Sequence, residues 1–193
     1  MHEARTRQGR SALPVRRRPR VIHRAAASGN VRHAARDGLI ERVLALYREE
    51  YGDAGLFENH VYDGVAQMLD HVRLITPALF VATLKPKVYA DRIVHHLGLD
   101  RYFAGVYGPE LAGRFDDKID LLAHLLATEG IAAERAVMIG DRAGDIVAAR
   151  ANRVGSIGVL WGYGSESELA DAGADGLCAL PSELASCLSR IAI

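Results

Sequence analysis

Asp141 and Asp145 stand four residues apart in Gly140-Asp141-Arg142-Ala143-Gly144-Asp145, directly after the apolar run Ala136-Val137-Met138-Ile139. A strand giving way to a helix here lets both carboxylates face the same small volume, and Gly140 lets the backbone pass close beside them. Two carboxylates completed by water and a substrate oxygen suit a small hard cation with octahedral oxygen ligation, Mg²⁺. Two other residues belong with them. Thr83 follows the apolar run Leu79-Phe80-Val81-Ala82 and can bind a phosphoryl oxygen, with backbone N–H groups expected to be free behind it. Lys118 follows Asp116-Asp117 and offers the compact charge that phosphoryl transfer needs. Each has a plainer reading, Asp145 as a helix N-cap and Thr83 as an ordinary strand-end hydroxyl. Lys118 falls in a first helical turn, where a cation is mildly unfavourable, and structure alone explains it least.

Such residues act together only if elements bring them to one edge. The spacing predicts a helix over Leu39–Tyr51, a second with the stripe Val65, Met68, Leu69 and Val72, and a third marked by Tyr89, Ile93 and Leu97 and stopped at Gly98. A fourth runs from about Asp116 to Gly130, with Ile119, Leu122, Leu125 and Leu126 facing inward, and a fifth passes through Ile146 and Ala149. Strands are expected at Leu79–Ala82, Ala136–Ile139 and Ser156–Leu160. They are apolar throughout rather than alternating, as a parallel sheet covered on both faces requires. The fold class is therefore α/β, an open doubly wound parallel sheet, in which ligands bind beyond the carboxyl ends of the strands.

The formal net charge of zero conceals two compositions. Residues 1–36 hold ten arginines against one acid, Glu3, whereas residues 37–193 are net acidic. The first segment shows no apolar period and reads as a largely disordered basic arm. With 193 residues, 49% of them hydrophobic, the remainder can bury a real core, and two large domains are excluded. Cys178 and Cys187 are too few and wrongly spaced for a disulfide framework or a cysteine-type zinc site. No apolar run approaches the roughly 18 residues of a membrane span, and no secretory h-region follows the early arginines. A soluble, cytoplasmic protein without a membrane partner is expected. His95, His96 and His124 read as surface or core histidines without a partnered carboxylate, and Trp161-Gly162-Tyr163-Gly164 as a tight turn with aromatic packing.

From Leu39 onward the chain resembles haloacid dehalogenase-superfamily hydrolases, most closely the phosphoglycolate phosphatase-like branch. The resemblance is carried by Leu56-Phe57-Glu58-Asn59 with Val61-Tyr62-Asp63-Gly64-Val65, by Val81-Ala82-Thr83-Leu84-Lys85-Pro86, and by His96-Leu97-Gly98-Leu99-Asp100-Arg101-Tyr102-Phe103. It continues through Asp117-Lys118, Val137-Met138-Ile139-Gly140-Asp141-Arg142 with Asp145, and Val159-Leu160-Trp161-Gly162-Tyr163-Gly164. It implies a Rossmann-like core at 65–193 preceded by a remnant of a helical cap at 37–64. Thr83 would be the second motif, Lys118 the third, and Asp141 with Asp145 the fourth, which binds Mg²⁺. The implied activity is Mg²⁺-dependent hydrolysis of a phosphate monoester on a small phosphorylated metabolite. The family opens with a strand bearing Asp-x-Asp-Gly-Thr, whose first aspartate accepts the phosphoryl group; this sequence contains no such motif. The expected fold thus lacks its first strand and most of the cap, and the expected enzyme is truncated and impaired as written, with a catalytically silent phosphate- and Mg²⁺-binding protein as the alternative. An Arg-rich, acid-poor segment ending where the resemblance begins is what out-of-frame translation or a misplaced start gives in a GC-rich gene. A transit peptide or a sequence-independent nucleic-acid arm at Arg16-Arg17-Arg18 and Arg20 are the other readings of 1–36, and no specific nucleic-acid partner is expected.

Overall fold

Apolar runs and helix caps set out an alternation of short strands and helices, which the computed structural model describes for Arg42, residues 55–111 and residues 113–191. The basic arm and the helix expected over Leu39–Tyr51 lie outside the described residues, except for Arg42, which is helical. All described residues fall in one compact unit, Arg42–Ile193.

Helix α1 (Val65–Val72) starts at Gly64, whose φ of 83° is left-handed, and buries Leu69 and Val72. Strand β1 (Phe80–Ala82) leads to α2 (Lys87–His96), which ends before Gly98. Strand β2 (Gly105–Tyr107) then pairs in parallel with β1, Val81 opposite Val106. Helix α3 (Lys118–Glu129) starts where the sequence offered Asp116 or Asp117 as a cap, and Asp117, in extended conformation, is the one that caps it: its carboxylate accepts from Ile119 N at 2.7 Å and Asp120 N at 3.3 Å. Leu121, Leu122, Leu125 and Leu126 are buried along α3, and Gly130 ends it.

The second half continues with β3 (Val137–Gly140), α4 (Ala143–Ala151), β4 (Gly155–Val159), α5 (Glu166–Asp171), β5 (Gly176–Cys178) and α6 (Leu184–Leu188). β3, β4 and β5 form a three-stranded parallel sheet in that order, Ile139 opposite Ile157 and Val159 opposite Cys178. Successive residues face opposite sides. Val137 and Ile139 join Val72, Ile157, Val159, Cys178, Leu184 and Leu188 on one face, whereas Met138 joins Leu122, Leu126, Ala148 and Val154 on the other. Helices thus cover both faces, the doubly wound arrangement expected.

Two features depart from the sequence reading. β2 and β5 are strands that it omitted, each three residues long and opening on glycine, too short to show a period. The sheet is also described in two pieces, β1–β2 and β3–β4–β5, yet Leu79 and Ala82 pack into the same two clusters as β3. Among the described residues no helix is long and apolar enough to cross a membrane.

Candidate active site

Thr83 leaves β1 at its carboxyl end, where the ladder continues one step further: its N–H donates to Tyr107 O at 2.9 Å. Its hydroxyl oxygen accepts from Lys85 N at 3.1 Å, a local turn that orients the side chain. The N–H groups of Thr83 and Lys85 are therefore engaged rather than free, and the hydroxyl hydrogen remains a donor.

Lys118, the first residue of α3, reaches from its helix to both pieces of sheet. Its ammonium donates to Ala82 O at 2.8 Å and pairs with Asp145 Oδ1 at 2.8 Å. The two side chains are 15% and 13% exposed, enclosed enough to strengthen the pair over a surface one. The carbonyl that ends β1 and a carboxylate beyond β3 thus share one cation.

At the end of β3, Asp145 lies so close over Gly140 that any Cβ there would overlap its carboxylate. Asp145 Oδ2 also accepts from Arg142 N at 3.2 Å; Arg142, not Asp145, is the N-cap, and Asp145 reaches back to it from the third helical position while keeping its ion pair. Asp141 is held differently. Its Oδ2 accepts from Tyr163 N at 2.8 Å, because the loop after β4 folds across it, with Gly162 against its side chain and Gly164 against its carbonyl. A Cβ at either glycine would collide with Asp141. Trp161-Gly162-Tyr163-Gly164, read from the sequence as a tight turn with aromatic packing, thus also forms one wall of the candidate site.

Glu168, on α5, is a second residue that the sequence reading passed over. Its Oε1 accepts from Ala143 N at 2.9 Å and pairs with Arg142 Nε at 2.8 Å. The Ala143 N–H and then the Arg142 guanidinium hold its carboxyl below the ordinary value, and the same contact raises Arg142. No local spacing signals this pairing, 26 residues apart. One histidine differs from expectation: His95 Nδ1 lies 3.0 Å from Asp100 Oδ2 on the surface. His124 stacks on Phe115 at 4.1 Å.

Three of the four carboxylate oxygens of Asp141 and Asp145 are thus occupied by protein donors, and Asp141 Oδ1 has no partner among the described residues. The donor chemistry, hard carboxylate oxygen at a strand end, fits Mg²⁺. No group of three or more His, Cys, Asp and Glu side chains gathers at metal spacing among the described residues.

Residues 7–152 match the family model of haloacid dehalogenase-like hydrolases, a match that begins inside the Arg-rich segment. A 5'-nucleotidase from Pseudomonas aeruginosa is 46% identical over 123 residues, covering 64% of this chain and 56% of its own. Tyrosine-protein kinase PtkA of Mycobacterium tuberculosis is 36% identical over 124 residues, covering 64% and 43%. This chain spans about half the length of the curated relatives it matches. The crystal structure of a predicted phosphatase from Clostridium acetobutylicum superposes with a TM-score of 0.75 at 34% identity, covering 80% of this chain and 71% of that one. With a family model spanning most of its length and a solved fold to match, the chain belongs to the haloacid dehalogenase-like hydrolases.

Proposed function

We propose that this site is of the Mg²⁺-dependent phosphate-monoester hydrolase type and binds a small phosphorylated metabolite. The observation that carries this reading is Lys118, whose single ammonium touches Ala82 O beside Thr83 and the carboxylate of Asp145 beside Asp141. It brings hydroxyl, ammonium and carboxylates from two pieces of sheet to one edge. The 5'-nucleotidase and a phosphoglycolate phosphatase from Agrobacterium fabrum, 36% identical over 128 residues, support the substrate class.

In this reading the Thr83 hydroxyl donates to a phosphoryl oxygen, and Lys118 supplies positive charge while Asp145 keeps it in place. Asp141 would hold the cation through Oδ1, with Asp145 in support. Mg²⁺ bound there offsets the charge of the phosphate. Covalent transfer needs a carboxylate in line with phosphorus, and this sequence has no Asp-x-Asp-Gly-Thr to supply it. The chain as written therefore binds phosphate and Mg²⁺ with negligible turnover.

Isothermal calorimetry with inorganic phosphate in Mg²⁺, alongside assays with phosphoglycolate, nucleoside monophosphates and p-nitrophenyl phosphate, tests this. Binding lost in Lys118→Met and in Asp141→Asn, with no turnover, is the expected result. Unchanged phosphate binding in both variants would end the assignment, and turnover abolished by Asp141→Asn would refute the impairment.

A further inference from the structure

Resting on that reading, we infer that Glu168 is a positioning residue that sets the direction of the Asp141 carboxylate. At the amino end of α4, backbone N–H groups without helical partners and the helix dipole favour a negative charge. Two protein carboxylates occupy that end. Asp145 accepts the N–H of Arg142, and Glu168 accepts the N–H of Ala143 at 2.9 Å.

Neither contact uses Asp141, the acid nearest to that end in sequence. Asp141 turns instead to Tyr163 N, and its Oδ1 has no partner among the described residues. Glu168 also pairs with Arg142 Nε at 2.8 Å and is tied to the loop that covers Asp141, since its own N–H donates to Ser165 Oγ at 3.1 Å. One residue thus joins both walls around Asp141: its side chain holds the turn Arg142–Ala143 and lies beside Gly164, and its backbone N–H is bonded to Ser165 at the end of the loop 160–165.

The test uses the full chain, ¹⁵N-labelled and free of metal, with amide exchange read at Ala143 and Tyr163, followed by titration with Mg²⁺ alone. In Glu168→Ala, exchange at both amides is expected to rise by about tenfold. Mg²⁺ affinity should fall by about tenfold, as for residues that orient metal ligands. Glu168→Gln should lie between, because its amide oxygen still accepts from Ala143 N but cannot pair with Arg142, and it is the informative variant if the alanine protein fails to fold. Faster exchange at Ala143 alone, with Tyr163 unchanged, would reduce Glu168 to a helix cap and overturn the inference. Wild-type protein that binds no Mg²⁺ would remove the metal from the proposed function, while the Tyr163 amide would still decide the role of Glu168.

Discussion

Met138, Ser156, Ile157, Val159 and Cys178 are buried in the three-stranded sheet, whereas every residue of β1 and β2 is only partly buried. The first piece is closed by hydrophobic side chains on both faces, each fully buried aliphatic residue stabilising by about 1.5–3 kcal/mol. The second joins the rest through Leu79 and Ala82, which pack into the same clusters as β3, and through Lys118, which donates to Ala82 O. Thr83 therefore stands on the lightly held half and Asp141 on the firmly held one. The candidate site therefore depends on Lys118 as a joint between the halves, not only as a charge.

The contrast is tested most strongly by truncating one strand residue in each half. Ile157→Ala should destabilise by about 2–5 kcal/mol in urea unfolding, because Ile157 is fully buried. Val81→Ala, at a half-buried position, should lose about 1 kcal/mol. Equal losses would erase the distinction between the two pieces.

Lys118→Met comes next. It leaves the Asp145 carboxylate with only the Arg142 N–H, and a loss of about 1–3 kcal/mol is expected. Hydrogen exchange should accelerate in β1 and β2 but not in β4, and uniform acceleration would show that the two halves unfold as one.

Gly162→Ala sharpens the comparison from the firm side. The new methyl overlaps the Asp141 side chain, so the loop must shift, at about 1–3 kcal/mol. Tyr163 N should lose its protection and Mg²⁺ binding should weaken, whereas exchange at Val81 should not change. A crystal structure with Asp141 undisturbed would contradict this.

The smallest effect is alkaline. Burial pushes the Cys178 thiol up from 9.0 to about 12, and the hydrogen bond that Tyr107 donates to Glu129 raises its phenol from 10.0 to about 12. Between these values the folded chain holds protons that the unfolded chain has released, so stability is complete below about pH 9 and falls as pH approaches 12. Cys178 reports on the three-stranded piece and Tyr107 on the two-stranded one. Tyr107→Phe should remove only the part of the decline that starts above pH 10, as read from urea midpoints across that range, and an unchanged profile would show that the Glu129 contact contributes nothing.

Much of the architecture was legible because its causes are local. The apolar runs at 79–82, 136–139 and 156–160, the stripe of α3 and the stop at Gly130 each follow from side chains a few residues apart. Thr83, Lys118, Asp141 and Asp145 could be singled out on the same ground, since each lies at the end of such an element. β2 and β5 were not legible, because three residues opening on glycine carry no period and become strands only by pairing with β1 and β4.

The roles within the site were decided by tertiary structure. The sequence alone determined that two carboxylates sit on one strand-to-helix turn, since spacing of four there leaves little choice. It could not determine that Asp145 would be claimed by Lys118, 27 residues earlier, or that Glu168 would cap α4 and leave Asp141 to Tyr163 N. Which donor a carboxylate meets depends on which loops are packed beside it, and that packing is fixed by the burial of α3 and α5 against different strands, not by the local chain.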